Sequence, residues 1–146
     1  MKNQFLKKGR FKMFNAIMLS AGTMLLASAV YAGETKVSLV GAEETPAVKT
    51  TAKGAGSITV NNDKSVSGVV TTTGLSGTMA HIHLGAAGKK GPPIITLVKS
   101  GEGSWSVPSG SVLTDDQYAS YKAGNLYVNV HTAENKDGEI RGQLKP

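Results

Sequence analysis

The sequence predicts an all-β domain, a sandwich or a barrel, on three observations. Sixteen glycines are spread through the 114 residues that follow Ala32. Short runs of alternating apolar and polar residues lie between them. Turn-forming residues separate the runs, at Asn61-Asn62-Asp63-Lys64 and again at Asp137-Gly138. Many short strands joined by tight turns give this pattern. Strands are expected at residues 35–42, 56–60, 65–73, 79–84, 94–99, 126–132 and 139–144. The Asp-Gly pair marks a hairpin between the last two. One segment reads as a short crossover helix of about ten residues. Thr114-Asp115-Asp116-Gln117 offers a capping box, in which the Thr hydroxyl and the Gln side chain satisfy each other's backbone N–H. The two Asp suit the positive end of the helix dipole, and Gly124 is placed to end the helix in a left-handed conformation. Tyr118 and Tyr121 share a face. No internal repeat or linker divides the chain, so one domain is expected.

Residues 1–32 read as a secretory signal peptide. Residues 2–12 are basic, residues 13–30 are apolar with small polar interruptions, and Val30-Tyr31-Ala32 places small residues at a cleavage site. Cleavage is expected after Ala32, with Ala29 as the alternative. An uncleaved anchor is the competing reading, because the apolar run approaches the roughly 20 residues that span a bilayer. Cleavage leaves a secreted or periplasmic domain, residues 33–146, with no further membrane span. Five of the sixteen basic residues fall in the first dozen positions, leaving eleven basic against ten acidic residues after Ala32. That near-neutral balance argues against a nucleic-acid partner. The chain has no cysteine, which excludes disulfides, thiolate chemistry and cysteine-ligated metals. The core must be built from Val, Ile, Leu and Ala.

Three histidines carry the chemical interest. In Ala80-His81-Ile82-His83-Leu84 the alternation of a strand puts both histidines on one face and Ala80, Ile82 and Leu84 on the other. In Leu126-Tyr127-Val128-Asn129-Val130-His131 the same alternation puts Tyr127, Asn129 and His131 off the core. If the two strands are neighbours, His81, His83 and His131 converge, and neutral imidazoles suit copper or zinc. Polar or structural histidines are the bland alternative. Water or Glu139 is a candidate fourth ligand. Glu139, Arg141 and Gln143 share a phase on the last strand. Arg141, the sole arginine after Ala32, is expected to bind a carboxylate or backbone carbonyls. The segment from Gly85 to Pro93 is glycine-rich but fits no phosphate-binding pattern. It reads as an exposed connection beside the histidines, with Lys89 and Lys90 solvated. No catalytic residues are expected: no serine sits in a nucleophile elbow, and Glu43-Glu44 and Asp115-Asp116 are not acid–base pairs.

The motifs from Ala80-His81-Ile82-His83-Leu84-Gly85-Ala86-Ala87-Gly88, through Gly91-Pro92, Trp105 and Leu113-Thr114, to Tyr127-Val128-Asn129-Val130-His131-Thr132 and Gly138-Glu139-Ile140-Arg141-Gly142-Gln143-Leu144 resemble the CHRD (chordin) domain. The resemblance spans about residues 36–144. It implies an immunoglobulin-like β-sandwich and a secreted binding module. Chordin itself antagonises extracellular growth factors, but its cysteine-rich binding modules have no counterpart here. A weaker resemblance is to copper/zinc superoxide dismutase, a Greek-key barrel with a His-x-His strand and a later Val-His. His81, His83 and His131 are similar to its copper ligands. Its bridging histidine, zinc loop and cysteines have no match. The expectation is a non-catalytic binding module that holds copper or zinc or an extracellular or envelope protein. The rivals are a copper-dependent dismutase-like oxidoreductase and a metal-free structural or interaction module.

Overall fold

The computed structural model describes residues 33–146, so the signal-peptide reading lies outside the described residues. Nine antiparallel strands form one sheet. In chain order they are β1 (Gly33–Val40), β2 (Lys53–Val60), β3 (Val66–Thr73), β4 (Met79–Leu84), β5 (Pro93–Thr96), β6 (Val98–Gly101), β7 (Ser104–Ser106), β8 (Leu126–His131) and β9 (Ile140–Leu144). The helix α1 (Asp115–Lys122) precedes β8. The spatial order is β5-β4-β8-β9-β1-β2-β3-β7-β6. The two terminal strands of that order, β5 and β6, are separated by Leu97 alone. The sheet therefore curls until its ends nearly meet, and the all-β sandwich or barrel expectation holds.

The predicted strand 94–99 is in fact two strands on two different partners. Thr96 pairs with His81 on β4, whereas Val98 pairs with Ser106 on β7. Leu97 is the corner: its N–H donates to Ala80 O at 2.9 Å and its side chain is buried. Strands that switch sheets make the corners of such folds. The sequence reading also omitted β7, which pairs Trp105 with Val70.

The core lies between the two halves of the curled sheet. Val37, Leu39, Ile58 and Val70 from β1–β3 pack in one cluster with Ala80, Ile82, Val128, Val130, Ile140 and Leu144 from β4, β8 and β9. The helix begins as expected. Thr114 Oγ1 accepts from Gln117 N–H at 3.2 Å, and Thr114 N–H donates to Gln117 Oε1 at 2.9 Å. Gly124 closes it at φ +75°. Tyr121 is buried, and its hydroxyl shares a 2.6 Å hydrogen bond with Thr35. That contact ties the helix to the start of β1. Among the described residues no helix is long and apolar enough to cross a membrane.

Candidate metal centre

Strand pairing brings the histidines together. β4 and β8 are neighbours, in register from Met79↔His131 to Leu84↔Leu126. Ala80, Ile82, Val128 and Val130 enter the core, so the alternate residues form a polar outer face. On it, one nitrogen from each of His81, His83 and His131 lies within 4.8 Å of the others. Metal–nitrogen bonds of about 2.0–2.1 Å place ligand nitrogens roughly 3 to 4 Å apart. His81 and His131 already meet at 3.0 Å, and the widest ring separation is that of His83 and His131, whose centres lie 6.1 Å apart, so an ion would draw those two rings inward.

Two of the rings are already aimed. His83 Nδ1 lies 2.8 Å from Gly91 O, and His131 Nδ1 lies 2.8 Å from Lys136 O. A carbonyl oxygen only accepts, so both Nδ1 atoms carry the proton and both Nε2 atoms present a lone pair. Carbonyl-anchored imidazoles of this kind are how metal-binding histidines are commonly oriented. His83 Nε2 is buried and has no hydrogen-bond partner. His131 Nε2 instead meets His81 Nδ1 at 3.0 Å. An ion in place of that shared proton needs only a shift of the His81 proton to its other nitrogen. Burial, then the neighbouring rings, hold His81 below its ordinary pKa. Burial likewise lowers His83, against the opposing influence of Gly91 and of Asn129, a side chain that lies close to this ring without making a well-formed hydrogen bond to it. Both rings are thus neutral at pH 7, the form that ligates.

Loops cover this face. Arg141, only 1% exposed, donates to Lys89 O at 2.8 Å and to Ala86 O at 2.9 Å. It also lies 3.4 Å from the centre of the Tyr127 ring, on which His83 stacks at 4.8 Å. The expectation that Arg141 binds backbone carbonyls is met, and the segment from Gly85 to Pro93 is thereby folded down over the sheet. Gln143 adds bonds to Gly85 O and Gly124 O. Gly91 is required in this loop, because a Cβ there would collide with Leu84 O. Gly138, at φ +129°, leaves room for Glu44 and Asn129 side by side. Lys90 is not simply solvated: it pairs with Asp137 at 2.8 Å, joining the two loops that supply the carbonyls of Gly91 and Lys136.

Glu139 sits apart from the histidines. Its carboxylate accepts from Thr50 at 2.8 Å, Thr132 at 2.7 Å and Asn135 at 3.3 Å. Burial pushes this carboxyl up, but the three donors together outweigh it and hold it below the ordinary value. Glu44, by contrast, is raised by burial, with Arg141 and Asn129 pulling the other way. One Glu44 oxygen and Asn129 Oδ1 are buried without partners. Sequence reasoning placed Tyr127 and Asn129 on this face with His131 but gave them no part in the site, and it missed Glu44. The phase shared with His131 was the signal for the first two; Glu44 follows a 3-10 turn (Gly41–Glu43), where strand alternation does not apply.

An all-β module with three imidazoles gathered on a covered polar sheet face is the class that fold and site define. The family model of the CHRD domain matches residues 35–144, and the chain belongs to that family. No curated protein and no solved structure matches it.

Proposed function

We propose that this protein is an exported, non-catalytic binding module whose His81, His83 and His131 hold one copper or zinc ion. The observation that carries the reading is the buried, unpartnered lone pair of His83 Nε2 beside two further ring nitrogens. A buried acceptor without a partner costs about 1–3 kcal/mol, and an ion removes that cost. Membership of the CHRD family and the leader-like residues 1–32 support a place outside the cytoplasm, with an extracellular or envelope protein as the macromolecular partner. The three imidazoles supply neutral nitrogen ligands, and the ion would supply a positive charge and an open coordination position.

Titration of the purified protein with Cu(II) and Zn(II) tests this. One equivalent should bind at pH 7. Because His81 and His83 are shifted down, proton competition should set in below the usual imidazole value near 6.5 and weaken binding by pH 5. His81→Ala, at the most exposed of the three rings, should keep the fold and lose most of the affinity. Binding that ignores pH, or that survives His→Ala at all three positions, overturns the reading.

A further inference from the structure

We infer that Met79 is a thioether ligand of the same cluster and tunes it toward copper, Cu(I) above all, over zinc. The inference rests on the metal-site reading above and adds a fourth residue and a choice of metal. The geometry comes from β4 itself. Ala80 and Ile82 point into the core, so Met79, His81 and His83 share the opposite face. The ladder sets Met79 directly across from His131. Paired residues on one face of an antiparallel ladder have Cβ atoms about 4.5–5.5 Å apart. A thioether on three rotatable bonds spans that gap.

Exposure rises along this face from buried His83 through half-buried His81 to Met79, which is 50% exposed. The loop carbonyls of Gly91 and Lys136 hold His83 and His131 from behind. The open side of the cluster is therefore the Met79 side. Met79 is also the sole methionine after residue 32, in a domain whose other large apolar positions are filled by Val, Ile, Leu and aromatic residues. Half of it faces water, as at Val69, Val98 and Val112, so exposure alone does not single it out; its place across from His131 does. As a ligand it has a function. Imidazoles alone accept either metal, whereas a soft thioether favours Cu(I) and adds little for Zn(II).

The test compares the purified protein with Met79→Leu, an apolar replacement of similar volume at an exposed site. Cu(I) affinity is read by anaerobic competition with a chromophoric chelator, and Zn(II) affinity by competition with a zinc dye. Met79→Leu should lose about tenfold in Cu(I) affinity, equivalent to about 1.4 kcal/mol, with Zn(II) affinity unchanged. X-ray absorption of the Cu(I) form should show a sulfur neighbour that the variant lacks. If binding depends on the histidines but Cu(I) affinity is the same in both proteins, or both metals weaken alike, Met79 is not a ligand and the histidine reading stands. If neither metal binds, or binding survives the triple His→Ala variant, both readings fall together.

Discussion

On one face of β4, β8 and β9 lie Ala80, Ile82, Val128, Val130 and Ile140; on the other lie His81, His83, Tyr127, Asn129, His131 and Arg141. All six residues of β8 are buried, so both faces are covered. The first face is covered by apolar side chains from β1–β3. The second is covered by loops, through the carbonyls of Ala86, Lys89, Gly91 and Lys136. Apolar packing is non-directional and tolerates side-chain exchange at similar volume. The polar layer is directional, and each lost donor strands an acceptor. Stability should therefore reside mainly in the first face, and ligand geometry in the second.

Ile82→Ala attacks the first face and should have the largest effect on stability, about 2–5 kcal/mol by denaturant unfolding. A small loss would mean that the core relaxes around the gap and that the two faces share the load. Arg141→Lys keeps the charge but not the two-pronged donor that reaches Ala86 O and Lys89 O. It should cost about 1–3 kcal/mol and weaken metal binding, because the loop carrying Gly91 is no longer fastened. Unchanged metal affinity in this variant would separate the loop from the site. Lys90→Ala should have the smallest effect. Its pair with Asp137 is exposed, and exposed pairs contribute little. Unfolding should not shift measurably, and any loss of metal affinity should vanish when the wild-type protein is compared at high salt, which screens the same pair.

The first face was legible because burial on one side writes a period of two into the sequence. Alternation also put the three histidines on the opposite face, but the register that unites them is set by the pairing of β4 with β8, which alternation does not determine. The covering of the second face was not legible, since it depends on loop carbonyls that no side-chain pattern records. Glu139 shows where phase stops informing. It lies one residue before β9, outside the ladder's regular alternation, and turns to Thr50, Thr132 and Asn135. The corner at Leu97 escaped detection because no glycine or proline marks it. β7 escaped because three residues, Ser104-Trp105-Ser106, are too few to show a period.

His81 and His131 stand 50 positions apart in the chain, yet their ring nitrogens are 3.0 Å apart. A coordinate bond shared by them would act as a cross-link between distant stretches of backbone. Closing so long a loop removes freedom from the unfolded chain, as a disulfide does. In a protein without a single thiol, the ion would be the staple, and thermal resistance would rise with its free concentration.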